Sequence, residues 1–189
     1  LIDENFYVGG FSIGGSCALK YAENTMIKPT AVFAIDPPLD FERFYNSAKR
    51  DIRLSKDNEA NQENIYMIER LEKETGGSPK TNLNQYYNLS PYSFSDTNQT
   101  AIKKLTNMPL RIYTEPDVDW WLKERNADLT NMNATECSAM INELNQLGNK
   151  NAELITSQNK GYIKPNNIRH PHSWSIVDND ELINWLLNQ

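Results

Sequence analysis

The segment from Asn5 to Glu23 constrains this chain most. Asn5-Phe6-Tyr7-Val8 is short, aromatic and β-branched, as a buried strand is, and it stops at Gly9-Gly10. Ile13, Cys17, Ala18, Tyr21 and Ala22 then recur at helical spacing from Ser12 to Glu23, so strand, glycine turn and helix follow one another directly. Pro29 and Thr30 introduce Ala31-Val32-Phe33-Ala34-Ile35, a continuous apolar run ended by Asp36-Pro37-Pro38, which reads as a second buried parallel strand.

The same alternation returns further on. Leu110-Arg111-Ile112-Tyr113-Thr114 is entered through Pro109 and left at Glu115-Pro116-Asp117, as a third strand. A helix is expected from about Ala134 to Leu147, with Met140, Ile141, Leu144 and Leu147 on one face and Gly148 after it. It leads to a fourth strand, Ala152-Glu153-Leu154-Ile155-Thr156. A polar loop carrying Gly161, Pro165, His170 and His172 precedes a last helix, capped at Asp178 or Asn179 and running through Leu182, Ile183, Trp185 and Leu186. Between the second and third strands, Phe41 to Asn107 is polar and Asn-rich, with an amphipathic stretch (Ile65, Ile68, Glu69, Leu71, Glu72) ending at Gly76-Gly77. It reads as a helical excursion from the sheet. Strands alternating with helices predict an α/β fold with a largely parallel sheet.

Composition narrows the classes. With 39% hydrophobic and 10% aromatic residues, the 189-residue chain can bury the core of one compact domain spanning 1–189, and disorder is disfavoured. A net charge of −6, from 25 acidic against 19 basic side chains with no basic cluster, argues against a nucleic-acid partner. A mean hydropathy of −0.67 and the lack of a long apolar run argue against a membrane span. Cys17 and Cys137 are too few for a disulfide framework or a metal site. Asp3, Glu4 and Asn5 break the basic-then-apolar pattern of a secretory leader.

Chemistry concentrates in Gly10-Phe11-Ser12-Ile13-Gly14-Gly15, which fits G-x-S-x-G between a strand and a helix. In that context small residues let a serine sit on a strained turn with its hydroxyl exposed at the carboxyl end of the sheet. Glycine at 10 and 14 would avoid collisions between strand, turn and helix. The Ile13 N–H, at the helix N-terminus, would point at an oxyanion forming beside Ser12. The plainer reading is a tight βα turn, or a phosphate-binding one, although the G-x-G-x-x-G spacing and a Walker lysine are both lacking.

Chain order favours the serine. An activated hydroxyl needs a base, and the only two histidines lie in the loop after the last strand. A carboxylate to orient the imidazole is expected between them in sequence, in a loop after a strand, where Asp117 and Asp119 stand. Asp36, at the end of the second strand, is a third candidate, set against a turn role before Pro37. Asp119 could equally cap the turn at Trp120-Trp121, and Trp120, Trp121 and Trp174 could line an acyl pocket or simply be core.

The elbow Gly10 to Gly14, the acid loop Glu115-Pro116-Asp117-Val118-Asp119 and the closing Arg169-His170-Pro171-His172-Ser173-Trp174 together resemble the C-terminal portion of an α/β-hydrolase-fold serine hydrolase, most like the esterases. That resemblance implies Ser12 as nucleophile, Asp117 as orienting acid and His172 as general base, with Asp119 and His170 as alternates and the Ile13 amide as an oxyanion donor. It implies a small-molecule acyl substrate, no cofactor and no metal, and it makes residues 41–107 a helical cap or lid. It also implies that strands before the elbow are missing, together with the loop that donates the second oxyanion N–H. One such donor is worth roughly 10²–10³ in rate. The Phe6 to Val8 strand would then be an apolar edge, covered by residues upstream of Leu1 or by a second copy of the chain. A short chain without that loop also fits a non-catalytic hydrolase-like binding module, in which Ser12 and both histidines would lie too far apart to hydrogen-bond.

Overall fold

The computed structural model describes residues 5–55 and 61–189. Leu1, and the Asp3 and Glu4 that argue against a leader, lie outside them. Four strands, β1 (Tyr7–Phe11), β2 (Ala31–Ile35), β3 (Leu110–Thr114) and β4 (Ala152–Thr156), pair in chain order into one parallel sheet. β2 is buried except at Phe33, as an inner parallel strand covered on both faces should be. β1 is the edge of the sheet among the described residues and is mostly half-buried.

β1 extends further than expected. It runs through both glycines to Phe11, in register with β2: Gly9 opposite Phe33, Gly10 opposite Ala34 and Phe11 opposite Ile35. Glycine lowers strand propensity, but it removes no backbone donor or acceptor, and pairing with β2 overrides the local preference.

The helices are α1 (Ile13–Asn24), α2 (Phe41–Leu54), α3 (Gln62–Thr75), α4 (Pro79–Leu89), α5 (Val118–Arg125), α6 (Ala134–Gln146) and α7 (Asn179–Leu187). On one face of the sheet, Leu19 and Ala22 of α1 and Cys137, Met140 and Leu144 of α6 pack on Val32, Leu110 and Ile112. On the other face, Leu182, Trp185 and Leu186 of α7 pack against Ile35 and Tyr113. The molecule is therefore an α/β fold with helices on both sides of a parallel sheet. The excursion between β2 and β3 folds as α2, α3 and α4 around a small core of Phe41, Tyr45, Ala48, Ile68, Leu71 and Tyr86. Asp40 caps α2 by accepting from Arg43 N at 3.0 Å, and its other oxygen accepts from Phe94 N at 2.9 Å, tying the two ends of the excursion together. After β4, a short antiparallel hairpin, β5 (Tyr162–Ile163) with β6 (Ile168–Arg169), delivers the chain to His170 and His172. Among the described residues no helix is long and apolar enough to cross a membrane.

One buried charge makes the fold sensitive to pH. Glu23, near the end of α1, is only 4% exposed, and its carboxylate lies 2.7 Å from Lys20 Nζ. Burial pushes its pKa up to about 7, against the partial counter-pull of Lys20, Lys104 and Lys28. An unfolded glutamate titrates near 4.5, so the folded state holds this proton more tightly. The stability it contributes is fully present below that value and is lost as the pH rises through about 7, by at most about 3 kcal/mol. Glu23→Gln is therefore expected to be more stable than the parent at about pH 8 and close to it at about pH 4, as read by urea unfolding at both values. A constant difference between the two proteins across that range would refute the assignment.

Candidate active site

Ser12 sits where β1 turns into α1, with φ 54° and ψ −129°, a backbone region that non-glycine residues rarely occupy. The conformation is over-determined by its surroundings. Ser12 N donates to Ile35 O at 2.8 Å, continuing the β1–β2 ladder, while Ser12 O accepts from Gly15 N at 2.9 Å and Ser16 N at 3.2 Å at the start of the helix. The chain can turn this sharply because strand and helix nearly touch: a Cβ on Gly10 would lie 2.4 Å from the carbonyl carbon of Gly14. Gly14 is different, since a Cβ there would meet nothing within 4 Å among the described residues. Of the two flanking glycines, only Gly10 is demanded by sterics.

His172 reaches Ser12 from the far end of the sequence. Its Nε2 lies 3.1 Å from Ser12 Oγ and its Nδ1 lies 2.6 Å from Asp36 Oδ2. The imidazole also packs on the Phe11 ring, with centroids 4.7 Å apart, and its side chain is one-quarter exposed. Asp36 is 9% exposed and is held from both sides, its N–H donating to Tyr113 O at 2.7 Å and its carbonyl accepting from Asn133 Nδ2 at 2.9 Å. Its φ of 44° is one that aspartate tolerates better than most residues.

Neither Asp117 nor Asp119 is the carboxylate beside His172. Asp117 caps α5 through Trp120 N at 3.1 Å and pairs with Arg169 at 2.6 Å, so the capping role expected of Asp119 belongs to Asp117. Asp119 is exposed in the first turn of α5, and its side chain has no hydrogen bond or ion pair among the described residues. The contacts give the reason: the β1–β2 pairing brings Asp36 next to Ser12, whereas the Asp117 carboxylate is taken up by Arg169 and by the cap of α5. The sequence carried this signal, since Asp36 also falls between serine and histidine at the end of a strand, but Pro37-Pro38 made it read as a turn residue.

His170, the alternate base, faces elsewhere. Its ring lies 4.9 Å from Trp120 and 5.6 Å from Trp121, its Nδ1 has no hydrogen-bond partner, and its backbone N donates to Gly161 O at 3.0 Å. Burial first, then the nearby Arg125 and His172, holds its pKa below the usual histidine value, so it is neutral at pH 7. Trp174 is 66% exposed and lines no part of the cleft, unlike Trp121.

Ser12, Asp36, His170 and His172 open into one cleft of about 510 Å³. Phe44, Ala48 and Asp51 of α2 and Met67 of α3 also line it. Arg43 joins α2 to the site, donating to Asn133 Oδ1 at 3.1 Å while Asn133 donates to the Asp36 carbonyl. Arg43 also donates to Asn131 O at 3.4 Å and pairs with the buried Glu136, whose pKa burial raises.

A scan against protein-family models finds no match, and a search of curated proteins finds none. Among solved structures, the chain is similar to a candidate lipase (lip1) from Acinetobacter baumannii AYE at 17% identity and a TM-score of 0.48, covering 97% of this chain and 61% of that one. It is also similar to a lipase-esterase related protein from Clostridium acetobutylicum ATCC 824, at 15% identity and a TM-score of 0.42, covering 99% and 67%. A third is Est816, described as an N-acyl homoserine lactone degrading enzyme, at 14% identity and a TM-score of 0.39, covering 97% and 66%. This chain thus spans 61% of the length of the first of these proteins. Identities this low transfer no residue roles, so the assignments below rest on the geometry of this chain.

The elbow sterics predict a contrast. Gly10→Ala must push strand and helix apart and should cost about 1–3 kcal/mol in denaturant unfolding. Gly14→Ala enters open space in the first turn of a helix and should be neutral or stabilising by up to about 1 kcal/mol. Equal losses at both positions would contradict the packing described.

Proposed function

We propose that this chain carries the nucleophile, base and acid of a serine hydrolase of the α/β-hydrolase type, acting on a carboxylic ester or related acyl bond. The observation that supports it is the continuous relay Asp36–His172–Ser12, with contacts of 2.6 and 3.1 Å between groups 136 and 160 residues apart in sequence. A relay of that length, made by three side chains at strand ends and opening into a cleft, is what general-base activation of a serine requires.

In this reading Ser12 Oγ attacks the acyl carbonyl carbon and His172 Nε2 accepts the hydroxyl proton. Asp36 accepts from Nδ1–H, which fixes the tautomer and stabilises the imidazolium that forms. The oxyanion accepts a hydrogen bond from the Ile13 N–H, which as the first of α1 has no acceptor within its own helix. The helix dipole adds favourable potential at the same point. His172 then gives its proton to the leaving alcohol. A water molecule deprotonated by the same nitrogen attacks the acyl-enzyme, releasing the acid and restoring Ser12. Residues 41–107 act as the cap, since α2 and α3 supply residues that line the cleft. The 3.1 Å contact to Ser12 weighs against a non-catalytic binding module, which predicts serine and histidine out of reach.

A fluorophosphonate probe applied to the full-length protein is expected to label Ser12, and Ser12→Ala to abolish labelling. Asp36→Asn should lower turnover of a short-chain ester by about 10³–10⁴, as loss of the orienting carboxylate does elsewhere. Asp117→Asn should lower it by less than tenfold. If Ser12 stays unlabelled, the reading fails; if Asp117→Asn is the more damaging variant, the acid has been misassigned.

A further inference from the structure

The mechanism leaves one buried carboxylate at the site unused. Glu115, immediately after β3, is 4% exposed, and its Oε2 accepts from Ser157 Oγ at 2.8 Å, Lys160 N at 2.9 Å and Gly161 N at 3.1 Å. Its Oε1 is ion-paired with the Arg169 guanidinium. Arg169 in turn donates to Gly161 O at 2.8 Å and to Asp117 Oδ2 at 2.6 Å. One carboxylate and one guanidinium thus collect the end of β3, the loop after β4 and strand β6 into a single knot.

The knot sits directly behind the base. Gly161 O also accepts from His170 N, two residues before His172, and the approach is so close that a Cβ on Gly161 would lie 2.4 Å from His170 O and 2.8 Å from Pro171 Cα. On the other side of His172, Ser173 Oγ donates to Tyr162 O at 3.1 Å and Ser175 Oγ to Lys160 O at 3.0 Å. Both flanks of His172 therefore hang from residues 160–162, and two of those three give their N–H to Glu115. β6 is two residues long and, among the described residues, β5 pairs with nothing else, so the main sheet does not hold this loop.

From this geometry we infer that Glu115 and Arg169 are positioning residues for His172: their buried ion pair sets where the imidazole stands between Ser12 and Asp36. This rests on the serine-hydrolase reading above. Neither residue touches the reacting atoms, and the pair acts through backbone contacts on either side of the histidine. The 3.1 Å contact leaves little tolerance, and a displacement of about 1 Å can cost on the order of 10² in rate. Loss of Arg169 leaves the buried Glu115 carboxylate without its cation, and loss of the Glu115 charge leaves Arg169 to Asp117 alone, so in either case the contacts that anchor the loop are redistributed.

The test compares Glu115→Gln, Arg169→Met and Arg169→Lys in the full-length protein with Arg111→Met. Arg111 is another ion-paired arginine with a mostly buried side chain, joining Glu153 and Glu181 away from the cleft. Folding is checked by circular dichroism and thermal melting, and function by the rate of fluorophosphonate labelling and by kcat and KM for a short-chain ester. Glu115→Gln and Arg169→Met are expected to lower kcat and the labelling rate by about 10²-fold, with KM within about twofold. Arg169→Lys keeps one charge but not the fork, and should recover several-fold of the rate lost in Arg169→Met. Arg111→Met should lower the melting temperature without changing labelling per folded molecule. Labelling at the parental rate in folded Glu115→Gln and Arg169→Lys overturns the inference, and so does a rise in KM at unchanged kcat. If Arg169→Met does not fold, those two variants decide. Failure to label the parent protein at all overturns the serine-hydrolase reading, and the positioning role with it.

Discussion

The in-register pairing of β1 with β2 is the constraint on which the site depends. Phe11 opposite Ile35 makes Ser12 and Asp36 the next residues on neighbouring strands, and the Ser12 N–H to Ile35 carbonyl bond carries the ladder one step past the formal end of β1. A slip of one residue would invert the faces and separate hydroxyl from carboxylate. The slip is opposed by the core, because Val32 and Ala34 must face α1 and α6 while Ile35 faces α7. Two short strands therefore fix two of the three side chains of the candidate relay before any loop contributes. What remains is to bring one imidazole from near the end of the chain to the space between them.

The central strands were legible because parallel strands covered on both faces have to be continuous apolar runs, and Ala31 to Ile35 and Leu110 to Thr114 are such runs. α6 and α7 were legible from periodicity and from a single cap, Asp178, whose side chain accepts from Glu181 N. The end of β1 was not, because local propensity stops a strand at Gly9 whereas tertiary pairing carries it through. β5 and β6 are not legible, since two-residue strands leave no period to detect.

At the site, the serine and histidine that the structure brings into contact were legible from motif and chain order. The choice between Asp36 and Asp117 was not. Both stand just beyond a strand, and what separates them is that Arg169 and the cap of α5 hold the Asp117 carboxylate, contacts between distant segments that one sequence does not disclose. The proline pair after Asp36, read as marking a turn, helps to direct the chain away from the sheet edge into α2, while Asp36 itself turns inward.

The carboxylates at this end of the sheet also differ in what neutralises them. Glu115 and Asp117 share the Arg169 guanidinium, and Glu136 has Arg43. A carboxylate already matched by a guanidinium gains less from a second cation, so Asp117 would be poorly placed to stabilise an imidazolium even if the chain brought it closer. Asp36 has no arginine or lysine partner among the described residues, and its one ionisable contact is His172. In the proposed mechanism its charge is left to respond to the proton that His172 would take from Ser12. Arg169 and Arg43 thus each take up a neighbouring carboxylate, while the acid in contact with the imidazole has no such partner among the described residues.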